Sequence, residues 1–143
     1  MTDPFDLQRF VTAQDRVYAA VLDELRQGRK QTHWMWFVFP QLAGLGHSAM
    51  AERYALSGLD EASAYLVHPV LGPRLRECTE LVNSVSGKSA HDIFSSPDDM
   101  KFRSSMTLFA EVEKEGSPFG EALERYFAGE RDRRTMDILA QRR

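Results

Sequence analysis

The sequence predicts an all-α fold, a single compact multi-helical domain over residues 1–143. Three observations predict it. Apolar residues recur at three- and four-residue spacing along most of the chain, the signature of helices with one buried face. Ser-Pro and Gly-containing pairs punctuate those stretches at helical lengths. No second segment offers a convincing strand for the one apolar run to pair with, and an unpaired buried strand leaves its backbone groups unsatisfied.

The first stripe joins Leu7, Phe10, Val11, Val17, Tyr18, Val21, Leu22 and Leu25 into one helix. Asp6 is its expected cap and Gly28 its end, with Arg26 placed favourably on the helix dipole. The run His33-Trp34-Met35-Trp36-Phe37-Val38-Phe39-Pro40-Gln41 holds both tryptophans of the chain. Periodicity alone does not separate helix from strand over so short a run. The lack of a partner strand favours a short helix, capped by Thr32 and stopped before Pro40. Trp36, at its middle, is expected to be buried, so that Trp36→Ala would cost roughly 3–5 kcal/mol.

Gly44-Leu45-Gly46-His47-Ser48 reads as a turn into a helix through Ala49, Met50, Tyr54 and Ala55. Ser57-Gly58 breaks it, Asp60 to Val67 forms a short amphipathic helix, and His68-Pro69 ends that one. Gly72-Pro73 opens a longer helix carrying Leu75, Cys78, Leu81, Val82 and Val85, closed by Ser86-Gly87. A short segment follows at His91 to Phe94. Ser96-Pro97-Asp98-Asp99 then starts a helix with Phe102, Met106, Phe109 and Val112 inward, Ser96 being the expected cap and Gly116 the stop. Ser117-Pro118 repeats the signal for a helix ending at Gly129, and Asp132 caps a final one with Met136 and Leu139. No repeat, low-complexity tract or dividing linker interrupts the series.

Composition narrows the function classes. A net charge of −3 does not predict a nucleic-acid binder, although Arg131, Arg133, Arg134, Arg142 and Arg143 make the tail locally basic. A lone Cys78 excludes an internal disulfide and fits a reducing cytoplasm, with the thiol read as a small core residue. The start Met-Thr-Asp-Pro-Phe-Asp carries no secretory pattern, and Trp34 to Pro40 is too short to cross a bilayer. The expectation is a soluble cytoplasmic protein without a membrane partner. No phosphate loop, dinucleotide motif, zinc-protease motif or Cys-x-x-Cys is present. The four histidines lack a local metal spacing, so neither a metal nor another cofactor is expected.

Three clusters combine polar groups with apolar neighbours. Lys30, His33, Trp34, Trp36 and Gln41 place a cation, an imidazole, an amide and two stacking surfaces within twelve residues. They either fill the core with locally satisfied polar groups or wall a pocket for a planar or anionic ligand. Gly44 to Ser48 is either a plain turn or a loop that a ligand approaches closely, with Ser48 at a helix start. Asp98, Lys101, Ser104 and Ser105 share a helix face, either solvated around an ion pair or facing a ligand. Two adjacent serines are mildly unfavourable inside a helix, which hints at a second role. Glu61 and His68 complete the candidates, Glu61 as a weak candidate general base.

The chain resembles a family of small, mainly helical bacterial proteins of unknown function, often mislabelled calpastatin. The resemblance rests on Asp6-Leu7, Arg9-Phe10, the His33–Gln41 run, Gly44-Leu45-Gly46, His68-Pro69, Leu71-Gly72, Asp99, Lys101, Ser104-Ser105, Thr107-Leu108-Phe109, Gly129 and Asp132. It implies a compact helical domain and brings no activity, cofactor or catalytic residue with it. Two functions follow for testing. One is a binder of, or enzyme on, a small anionic metabolite, nucleotide-like ones included, N-glycosidic hydrolysis being one version. The alternative is a non-catalytic protein-interaction or self-assembly module anchored by exposed aromatics at positions 34 to 39.

Overall fold

The computed structural model describes residues 2–142; Met1 and Arg143 of the basic tail lie outside the described residues. Helix takes up 62% of the described residues, with no strand among them, the class the periodicity predicts. In order the helices are α1 (Gln8–Asp15), α2 (Tyr18–Arg26), α3 (Met35–Val38), α4 (Ala49–Arg53), α5 (Leu59–Val67), α6 (Leu71–Asn83), α7 (Ala90–Phe94), α8 (Asp98–Val112), α9 (Pro118–Phe127) and α10 (Arg133–Gln141). An isolated parallel bridge between Leu42 and Leu56 ties the two connections flanking α4 together.

The expected first helix is two. Val17 leaves helical geometry at φ −130°, separating α1 from α2. The stripe is continuous in sequence, but its halves have different partners. Phe10 of α1 packs edge-on against Tyr65 of α5, while α2 lies along α6. Gln14 at the end of α1 is buried and donates from Nε2 to the Phe37 carbonyl at 2.7 Å and to the Tyr65 hydroxyl at 3.0 Å. A break just past Gln14 lets each half follow its own partner.

Several caps also differ from expectation. Asp6 adopts a left-handed φ of 53° and does not cap α1; the Asp3 carboxylate accepts from the Leu7 and Gln8 N–H groups instead. Thr32 leaves α3 uncapped and donates its hydroxyl to Glu24. Ser96 does not cap α8, whose preceding residue is Pro97. Ser48, Ser117 and Asp132 each accept from an N–H three residues on, as side-chain caps do.

Helix α8 forms the centre of the domain, packing against α5, α7, α9 and α10, and is buried almost without interruption from Ser104 to Ala110. Around its first half, Phe39, Phe94 and Phe102 form one aromatic cluster, with Phe94 and Phe102 stacked at 4.7 Å. Around its second half, Phe109 joins Tyr65 and Phe119. Cys78 is buried, and burial pushes its thiol up to about 12, so the thiolate that reacts is scarce at neutral pH.

The core tryptophan is Trp34, fully covered, whereas Trp36 is only partly buried. Trp34→Ala is therefore expected to cost roughly 3–5 kcal/mol and Trp36→Ala only about 1–2 kcal/mol. Urea titration of both variants checks the order. Equal losses would contradict the burial difference.

Candidate functional site

The Gly44–Ser48 loop, the first turns of α8 and the start of α10 enclose an open cleft of about 330 Å³. Four of the sequence candidates line it: Gln41, Ser48, Lys101 and Ser104. His47, Met100, Asp132 and Arg134 join them. The loop is shaped by its sequence. A Cβ on Gly46 would stand 2.6 Å from the Cβ of Ala51, so only glycine lets the loop press against α4. Hydrogen bonds from Ala43 N to Leu56 O and from Leu56 N to Gln41 O hold the loop's base.

Two cations face the cleft. Lys101 has its Nζ 3.5 Å from one oxygen of Asp98 and 5.3 Å from the centre of the Trp36 ring. Arg134 donates weakly to the Gly44 carbonyl at 3.4 Å and has no carboxylate partner among the described residues. Asp132 is the one lining carboxylate, and its Oδ2 is occupied by the N–H and hydroxyl of Thr135. The Ser104 hydroxyl donates to the Met100 carbonyl one turn back. Gln41 has no side-chain partner among the described residues. The cleft thus offers net positive charge, an uncommitted amide and the Ser48 hydroxyl, a donor set for an anion.

The other candidates lie elsewhere or are occupied. Lys30 is almost covered, with its Nζ 2.9 Å from the second oxygen of Asp98 and 5.2 Å from the Trp34 ring centre. Asp98 therefore bridges the two lysines that sit over the two tryptophans. His33 is exposed on the loop before α3 and is not among the residues lining the cleft. Trp34 is sealed in the core, its Nε1 donating to Glu24 at 3.0 Å. His68 accepts the Val70 and Leu71 N–H groups on Nδ1 and so closes the start of α6. Ser105 is fully buried and its hydroxyl has no partner among the described residues.

Glu61 is buried and engaged at both oxygens, by the N–H and hydroxyl of Ser57 on one and by Arg9 at 3.0 Å on the other. Sequence reasoning also passed over Glu24, a buried carboxylate that accepts from the Gln31 and Thr32 N–H groups, the Thr32 hydroxyl and Trp34. Burial pushes its pKa up, but these hydrogen bonds together outweigh it and hold the group below its ordinary value. Its ten-residue separation from Trp34 left no periodic signal.

Among the described residues no group of three His, Cys, Asp or Glu side chains stands close enough to hold a metal ion. No described helix is long and apolar enough to cross a membrane. Fold and cleft together define a small all-helical domain with a cationic surface cleft. The chain belongs to the family described as "Protein of unknown function (DUF1810)", which matches it over residues 4–139. It is similar to the solved structure of the conserved hypothetical protein Rv1873 from Mycobacterium tuberculosis, at 59% identity and a TM-score of 0.95. That match covers 96% of this chain and 99% of the other. No curated protein matches the chain.

Proposed function

We propose that the protein binds a small anionic metabolite in the cleft between the Gly44–Ser48 loop and α8. The observation that carries this is the placement of Lys101 and Arg134 on one concavity whose only lining carboxylate already has partners. Lys101 and Arg134 meet the anion, while Gln41 and Ser48 supply hydrogen bonds. The phosphate of a nucleotide-like ligand fits that donor set. A hydrolytic role for Glu61 loses support from the full occupation of its carboxylate. The interaction-module alternative loses its anchor, since Trp34, Met35, Phe37, Val38 and Phe39 are buried. The calpastatin label gains nothing from this fold, because calpain inhibitors are long disordered chains.

A thermal-shift titration with AMP and pyrophosphate tests the reading. Ligand at a hundred times its dissociation constant stabilises the native state by about 2.7 kcal/mol, which moves the melting temperature by several degrees. Wild type is expected to shift with at least one probe, and Lys101→Gln and Arg134→Gln to lose most of that shift. No shift in wild type, or an equal shift in both variants, would remove the cleft as the binding site.

A further inference from the structure

A second cleft, of about 490 Å³, runs between α1 and α4 on other residues than the first. Its floor is aromatic. Phe37 and Tyr54 are both nearly covered and meet edge-to-face at 5.3 Å between ring centres. Arg16, just past the end of α1, Arg53 at the end of α4, Thr12 and the exposed Met50 also line it. We propose that this cleft binds a phosphate monoester attached to an apolar or aromatic group.

Arg16 and Arg53 have no carboxylate partner among the described residues, although acids pair with Arg9, Arg74, Arg76, Arg103 and Arg131. Arg53 lies with its guanidinium carbon 5.6 Å from the Tyr54 ring centre, over the floor. Asp6 is the one acid lining the cleft.

The cleft width is set by Arg9, which is fully committed to the protein. Its Nε donates to the Arg53 carbonyl at 2.9 Å, and Nη2 reaches the Ala55 carbonyl and Glu61. Helix α1 is thereby bolted to the end of α4, so both walls keep their spacing without a ligand. Arg9 is a positioning residue, and Arg16 and Arg53 remain free to bind.

Charge and shape select the ligand class. A phosphate monoester carries about −1.5 to −2 charges at neutral pH, and two guanidinium forks match it in charge and geometry. An anion alone leaves Met50 and Val17, the more exposed apolar side chains of the lining, in contact with water, Phe37 and Tyr54 being already nearly covered. An apolar group joined to the phosphate covers Met50 and Val17, so the paired ligand binds more tightly than inorganic phosphate.

The test uses the full chain and phenyl phosphate, with inorganic phosphate as comparison, followed by isothermal titration calorimetry. Phenyl phosphate is expected to bind saturably and at least about tenfold more tightly than inorganic phosphate, a difference of about 1.4 kcal/mol. Arg16→Gln and Arg53→Gln, both at exposed positions, are each expected to weaken it about tenfold or more. The titrations are made in the Lys101→Gln background, which removes the first cleft's contribution, and Arg29→Gln, at an exposed position lining neither cleft, is expected to leave the affinity unchanged. Absence of saturable binding, equal affinity for the two phosphates, or unchanged binding in both arginine variants would overturn the proposal.

Discussion

Glu24→Ala is expected to destabilise the domain by about 3–5 kcal/mol at neutral pH, because several donors lose their charged acceptor at once. Glu24 is 6% exposed and its two oxygens satisfy four donors. Alanine leaves the Trp34 indole N–H without an acceptor inside the core, and frees the Gln31 and Thr32 N–H groups that hold the chain entering α3. Each lost bond to a charged group is worth about 1.5–3 kcal/mol, reduced where water replaces the partner.

The same carboxylate gives this stability an acid limit. Its folded pKa is depressed, so the folded state binds its proton less readily than the unfolded state. The contribution is complete above the ordinary glutamate pKa of 4.5 and is lost as pH falls through that value to the folded one. Urea titrations of wild type and Glu24→Gln at neutral and acid pH check this. Wild type should lose more stability on acidification than the variant. A loss below about 1 kcal/mol for Glu24→Ala would show that the loop is held by other means.

Gly72→Ala is the second large effect, with an expected cost of about 3 kcal/mol or more. A Cβ at this position in the first turn of α6 would stand 2.1 Å from the Leu66 carbonyl oxygen and 3.0 Å from its carbon. The obstacle is the backbone of α5, which has no rotamer to change. Relief requires α5 and α6 to separate at their junction, where His68 already fixes the Val70 and Leu71 N–H groups. Gly58→Ala is the matched control, because nothing lies within 4 Å of a Cβ there and the backbone is extended at φ 171°. Thermal melts followed by circular dichroism should show a large drop for the first and little change for the second. Similar melting temperatures would contradict the close approach of the two helices.

Local chemistry was the most legible part of the chain. Ser48, Ser117 and Asp132 announce helix starts within three residues, and all three caps form. Periodicity also identified which faces of α6, α8 and α9 turn inward. The break at Val17 was hidden because it follows from two different packing partners, not from any local residue. Asp3 displaces Asp6 as the first cap for a related reason: a cap depends on the path of the chain before the helix, which spacing does not encode.

The candidate cleft was legible only in pieces. Gln41 and Ser48 were singled out in one half of the chain and Lys101 and Ser104 in the other, and the fold brings them together. Arg134 belonged to a basic tail that reads as a solvated surface, and nothing in its spacing points to the Gly44 loop ninety residues away. Conversely, His68 and Glu61 were chosen for their residue types, which suit local hydrogen bonding equally well. Both are used that way here.

Amide chemical shifts measured while adding pyrophosphate test the central claim most directly. Binding in the first cleft predicts saturable shifts confined mainly to Gln41, Leu45 to Ser48, Lys101, Ser104 and Arg134, and their loss in Lys101→Gln. Shifts that never saturate, or that cluster away from the Gly44–Ser48 loop and α8, would contradict it.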